Sequence, residues 1–348
     1  MAVVKEAFGK TKDGTGVTKF TITNKNGMSV SLLDYGAIVQ AICVPKKNGG
    51  ADDIALGFDD VAGYEVNSCY FGAFVGRHAN RIGGARFDLN GTEYELQKND
   101  NGCNNLHGGD PGYHKLMYRG DTAGESAVYF ERVSPDMEQG FPGALEVKVT
   151  YTLTDENELV IEYFARSDAD TIYNPTNHTY FNLLGHDGGD ITHHKVKINA
   201  DAVTESSKEL IPNGKFIKVE GTPFDFREEK AIYLDIEADN EQLKNAGGYD
   251  HNFCLMKEPR EYGYAGSFSE ETTGRRVDIY TDLPGMQFYS GNFIEKENGK
   301  DGAVYTKRTG MCFETQFFPN AVNIPEFTSC YLPKGEAFNS KTVYKFSW

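Results

Sequence analysis

Cysteine pairs at metal or redox spacing are missing. Six cysteines occur, Cys43, Cys69, Cys103, Cys254, Cys312 and Cys330, and no two form Cys-x-x-Cys. That removes zinc-ribbon and dithiol redox readings. Several lie in apolar runs such as Ala41-Ile42-Cys43-Val44-Pro45, the setting of buried thiols in a reducing compartment, so a cytoplasmic protein is expected. Long apolar runs are missing as well. None reaches the roughly 18 residues that a spanning helix needs, and the opening residues lack the apolar core of a signal peptide. Positive charge is scarce, with 35 Lys and Arg against 51 Asp and Glu and a formal net charge of −16. Nucleic-acid phosphates and anionic membrane surfaces are poor partners for such a chain. Gly-x-x-x-x-Gly-Lys-Ser/Thr, Gly-x-Gly-x-x-Gly, His-Glu-x-x-His and Gly-x-Ser-x-Gly are all absent, which leaves no signature of a bound nucleotide, a zinc protease or a serine hydrolase.

Long helical periodicity and dividing linkers are also lacking, so residues 1–348 are read as one domain. What is present is short, alternating and aromatic, with 20 Tyr and 23 Phe. Asn26-Gly27 separates Phe20–Thr23 from Met28–Leu32, a strong hairpin signal. In 145–153, Leu145, Val147, Val149, Tyr151 and Leu153 fall on one face, and 159–165 supplies an antiparallel return. Residues 342–348 read as a last strand. One short helix is expected over 236–245, with Asp239 or Asn240 as its cap. The fold class is all-β, a large antiparallel sandwich with a broad sheet face open as a cleft.

The densest polar stretch is Asn174-Pro175-Thr176-Asn177-His178-Thr179-Tyr180-Phe181-Asn182-Leu183. As an extended strand it would place Asn174, Thr176, His178, Tyr180 and Asn182 on one face, a set suited to donating to and accepting from sugar hydroxyls. A solvated strand carrying one histidine is the ordinary alternative. Four more stretches share the character: Arg77-His78-Ala79-Asn80-Arg81, Asn105-Leu106-His107-Gly108-Gly109, Tyr249-Asp250-His251-Asn252 and Phe313-Glu314-Thr315-Gln316. Asp250 offers two acceptor oxygens to neighbouring hydroxyls. Glu314 stands among apolar and aromatic neighbours, where burial raises a carboxylate's pKa and makes it a better base near neutrality. Gln287 shares a face with Tyr289 and is expected to line the same cleft. His114, His186, His193 and His194 are expected at the surface.

Taken in order, Asn80-Arg81-Ile82, Asn105-Leu106-His107-Gly108-Gly109, 177–183, Gly221-Thr222-Pro223-Phe224-Asp225, Tyr249-Asp250-His251-Asn252, Glu314-Thr315-Gln316 and Asn323-Ile324-Pro325-Glu326-Phe327 resemble the landmarks of the galactose mutarotases, or aldose 1-epimerases. The resemblance implies the mutarotase-like sandwich, a monosaccharide in an open cleft, and neither cofactor nor metal. It implies Glu314 as the base at the C1 hydroxyl, His178 as the acid at the ring oxygen and His107 as assistant. Asn80, Arg81, Asp250 and Gln287 become the hydroxyl-binding set, and His78 is dispensable. A bell-shaped pH profile is then expected, limited by protonation of Glu314 at low pH and deprotonation of His178 at high pH. A homodimer is compatible with the sequence. A hexose-6-phosphate 1-epimerase, a glycoside hydrolase using Asp250 and Glu314, a non-catalytic sugar-binding protein and a His107/His178/Glu314 metal site stay open as alternatives.

Overall fold

The alternating runs assemble into antiparallel sheets in a computed structural model that describes residues 2–47 and 49–348. The largest sheet has nine strands, ordered Arg119–Thr122, Ala127–Ser134, Leu145–Leu153, Glu158–Ser167, Ala337–Ser347, Arg276–Thr281, Gly263–Ser269, Lys195–Ile198, Lys230–Ala231. A six-stranded sheet runs Tyr180–Phe181, Met311–Gln316, Gly285–Tyr289, Asp250–Leu255, Ala200–Ser206, Pro212–Lys218. The two pack face to face. Phe268 of the first lies flat on Phe313 of the second, ring centroids 4.6 Å apart and planes 6° from parallel, and Phe181 meets Tyr344 at 5.4 Å. The N-terminal strands form a third, five-stranded sheet that ends at Ala51–Asp53.

Local chemistry explains the connections. At the Asn26-Gly27 hairpin, Asn24 Oδ1 accepts the N–H groups of Asn26 and Met28, and Gly27 takes φ +83°, which glycine allows cheaply. The expected helix over 236–245 is shorter and starts later. It spans Glu241–Ala246, because Asn240 Oδ1 accepts the N–H groups of Gln242 and Leu243 and so fixes the N-terminus. A second one-turn helix, Val61–Val66, is capped by Asp60 and gave no periodic signal. The single tryptophan, Trp348, is partly buried at the end of the last strand, beside Pro45, Lys46 and Arg275. Among the described residues, no helix is long and apolar enough to cross a membrane.

The polar stretch 174–183 departs from a single strand. It breaks into Thr176–His178, paired with Ala73–Val75, and Tyr180–Phe181, paired with Met311–Cys312. Its amides and hydroxyl point inward. Asn174 Nδ2 donates to the carbonyl of Phe317, whose N–H Asn174 Oδ1 accepts. Thr176 Oγ1 donates to the carbonyl of Thr315, and Asn182 Nδ2 to those of Gly189 and Thr309. These side chains satisfy backbone groups where regular ladders stop. Only His178 and Tyr180 of the expected face reach the cleft.

Candidate active site

One face of the six-stranded sheet is apolar and the other carries functional groups, and strand alternation separates them. In Met311–Gln316, Phe313 points into the sandwich, stacked on Phe268 and Phe288, so Cys312, Glu314 and Gln316 take the opposite face. Register aligns neighbours on that face: Tyr180, Cys312, Tyr289 and Asp250 form one row, and Glu314, Gln287 and Asn252 the next. A cavity of about 450 Å³ opens above the rows, lined by Glu314, His178, His107, Asn80, Arg81, Asp250 and the rings of Tyr70, Tyr180, Tyr289 and Phe293.

Loops supply the remaining groups. Asn80 (φ +59°) and His107 (φ +52°) both take the left-handed conformation, which costs non-glycine residues energy and recurs at functional sites. They hold each other: the Asn80 N–H donates to His107 Nδ1 at 3.1 Å, and the His107 N–H donates to the Asn80 carbonyl. With Nδ1 accepting, neutral His107 carries its proton on Nε2. Arg81 Nε donates to Asp100 at 3.1 Å, while its Nη1 lies 3.9 Å from Asp250.

His178 and Glu314 face each other, Nε2 to Oε1, at 3.6 Å. That is too long for a hydrogen bond, so neither atom is tied up by the other. Glu314 is 2% exposed, and its Oε2 has no hydrogen-bond partner. Burial, reinforced by the nearby charge of Asp250, pushes the Glu314 carboxyl well above the usual range. Burial pulls His178 down to about 4. His107 is driven well below its ordinary value, first by burial and then by the neighbouring histidines and Arg81. Burial raises Asp250 against the pull of Arg81 and of a Gln287 N–H. Burial favours the uncharged forms of both partners, which reverses the order of titration that the sequence reading gave to Glu314 and His178.

Gln287 does not line the cavity. It stands behind Asp250, donating Nε2–H to Oδ1 at 2.6 Å, and orients that carboxylate. Three histidines expected at the surface are buried, His114, His186 and His194, and only His193 is exposed. His114 packs 4.5 Å from Tyr70, which also contacts His107 at 4.7 Å and His178 at 5.8 Å. Tyr70 and Asp100 escaped the sequence reading because both sit in turns without periodicity. Cys312 could have been found, being two residues before Glu314 on one strand. One donor atom each from His107, His178 and Glu314 lies within 4.8 Å of the others, so these three are also the residues that could hold a metal ion.

An antiparallel β-sandwich with a facing carboxyl and imidazole and a ring of hydrogen-bonding side chains in an open cleft is the architecture of a class of proteins suited to polyhydroxylated ligands. Residues 18–345 match the family model described as aldose 1-epimerase. The galactose mutarotase of Rattus norvegicus is 41% identical over 348 residues, covering 100% of this chain and 99% of the relative. Among solved structures, an aldose epimerase homologue from C. elegans superposes with a TM-score of 0.84 at 30% identity, over 94% of this chain and 98% of the other. The galactose 1-epimerase of Lactobacillus acidophilus gives 0.85 at 27%, over 100% and 99%. The chain belongs to the aldose 1-epimerase family.

Proposed function

We propose that this isomerase interconverts the α and β anomers of galactose- or glucose-type aldohexoses, with Glu314 and His178 exchanging the two protons. The observation that carries the assignment is the 3.6 Å gap between Glu314 Oε1 and His178 Nε2, beside a buried, unpartnered Glu314 Oε2. Ring opening needs a proton removed from the C1 hydroxyl and one delivered to the ring oxygen. Ionised Glu314 takes the first and protonated His178 gives the second. The C1–O5 bond breaks, and the pair becomes a neutral carboxylic acid and a neutral imidazole. Rotation about C1–C2 exposes the other carbonyl face, and closure reverses both transfers. The pair thus holds one proton when opening starts and one when it ends. Burial that favours the neutral pair stabilises the opened sugar, the costly point of the cycle. His107, with its proton on Nε2, donates near the anomeric oxygen. Asn80, Arg81 and Asp250 bind the other hydroxyls, and Gln287 acts through Asp250. Side chains carry out both proton transfers, so the chemistry calls for neither cofactor nor metal.

The setting follows the same reading: a monosaccharide ligand, no nucleic-acid or membrane partner for a chain of net charge −16, and a cytoplasmic location consistent with six unpaired cysteines. The chain acts as one domain, and a homodimer is compatible with it. A phosphosugar is the weaker substrate because Lys296, a cation on the cleft wall, is flanked there by Glu295 and Glu297. Polarimetry of freshly dissolved α-D-galactose tests the proposal. Relaxation faster than the spontaneous rate, abolished in Glu314→Gln, is expected. Acceleration that survives this substitution would sink the base assignment, and acceleration confined to a 6-phosphate would replace the substrate. Activity should persist through exhaustive chelation; its loss would install a metal at His107, His178 and Glu314.

A further inference from the structure

One strand grips both nitrogens of one imidazole. Cys312 Sγ lies 3.5 Å from His178 Nδ1, and Glu314 Oε1 lies 3.6 Å from Nε2. The two side chains are neighbours on the cleft face of Met311–Gln316, two residues apart. Tyr180 and Tyr289, which flank Cys312 in register, contact the same ring at 5.0 Å and 6.4 Å. The ring is boxed, and its Nδ1 meets sulfur where many catalytic histidines meet a carboxylate or a carbonyl.

We infer that Cys312 is a positioning residue, its sulfur accepting the Nδ1–H of His178 so that Nε2 alone exchanges the proton with the sugar ring oxygen. The inference rests on the assignment of His178 as the acid. After ring opening His178 has lost its Nε2 proton and must retain the one on Nδ1. An imidazole in the other tautomer has no free lone pair at Nε2 to take the proton back on closure. Sulfur is a weak acceptor, so it fixes the tautomer without holding the imidazolium in place as a carboxylate would. Burial with Glu314 nearby keeps Cys312 as an uncharged thiol, which preserves that weakness. His107 supplies the contrast. Its Nδ1 accepts the Asn80 N–H, so two rings with centroids 5.2 Å apart are held in opposite tautomers.

Nitrogen-15 NMR of the histidine-labelled full chain, with His178→Asn and His107→Asn for assignment, reads both tautomers without reference to activity. Wild type should show His178 as Nδ1–H and His107 as Nε2–H. In Cys312→Ala, His178 should shift toward Nε2–H. Its kcat for galactose should fall about 10–100-fold, the scale for removing a partner that orients a metal-bound histidine, with KM nearly unchanged. Cys312→Ser, whose hydroxyl can accept the same proton, should keep the tautomer and most of kcat. A wild-type His178 found as Nε2–H overturns the inference, as does a folded Cys312→Ala with unchanged tautomer and kcat. If Cys312→Ala does not fold, the wild-type and Cys312→Ser spectra still decide. Loss of the reaction reading is distinguishable, because it appears as full activity in Glu314→Gln whatever the spectra show.

Discussion

Glu314 is the residue whose chemistry and environment conflict most openly, and the conflict is measurable. Glu314→Gln keeps the shape and removes the base, so kcat should fall by at least about 10²–10⁴-fold, while thermal stability holds or rises because the cost of burying an ionisable carboxyl is gone. A fall in kcat below tenfold, measured by polarimetry, would sink the assignment. Arg81→Ala should act on binding instead. Losing hydrogen bonds from a charged donor is worth roughly 1.5–3 kcal/mol, so KM for galactose should rise about 10–100-fold with a smaller change in kcat. The pH profile should be bell-shaped, with its limbs assigned in the reverse of the order expected from sequence. Below about 4, His178 gains a proton while Glu314 keeps its own, and no base remains. Above the raised pKa of Glu314 the pair has no proton to give. Both limbs belong to the coupled pair. A kcat/KM that falls neither below about pH 4 nor on the alkaline side would rule out proton exchange by these two groups.

The strand Met311–Gln316 shows what alternation can and cannot reveal in advance. Its odd side chains serve the core and its even ones the cleft, so substitutions one residue apart should separate stability from activity. Phe313→Ala removes a ring stacked on both Phe268 and Phe288 and should cost about 3–5 kcal/mol, read by denaturant unfolding. A cost under about 1 kcal/mol would mean the core is held elsewhere. Period two is a local signal, which made 145–153 legible, as a short-range turn signal did Asn26-Gly27; in 311–316 the sequence showed only that Glu314 stands among apolar neighbours. The stretch 174–183 misled for a reason that is not local. A run of Asn and Thr looks alike whether it faces a sugar or satisfies the loose backbone of Phe317, Thr315 and Thr309, and only the tertiary structure says which. The placement of Gln287 behind Asp250 follows the same logic: its register opposite Asn252 and Glu314 is a property of three strands far apart in sequence. Tyr70 had no signal at all, being a positive-φ turn residue (φ +60°) brought to three histidines by long-range packing.

At the scale of the whole molecule, buried histidines dominate the response to acid. Burial lowers His78, His178 and His194 to about 4, and His114 and His251 to about 3, with His107 displaced in the same direction. Each is neutral when folded and titrates near 6.5 when unfolded, so the unfolded chain binds more protons between those values. Stability is then fully present above about pH 6.5 and is lost as pH falls through the folded pKa values. Asp34, Asp250 and Glu314, raised by burial, oppose this but are fewer. Calorimetry should therefore show one cooperative transition whose Tm declines from pH 7.5 to 5, with net proton uptake on unfolding. A Tm that rises over that interval would contradict the burial of these rings. The lone tryptophan makes a second optical consequence plain. Trp348 caps the last strand among Pro45, Lys46 and Arg275, and shares no lining residue with the cleft. Its emission should track unfolding of the sandwich and stay constant as sugar is added, so titrations of ligand have to be followed through the tyrosines that wall the cavity.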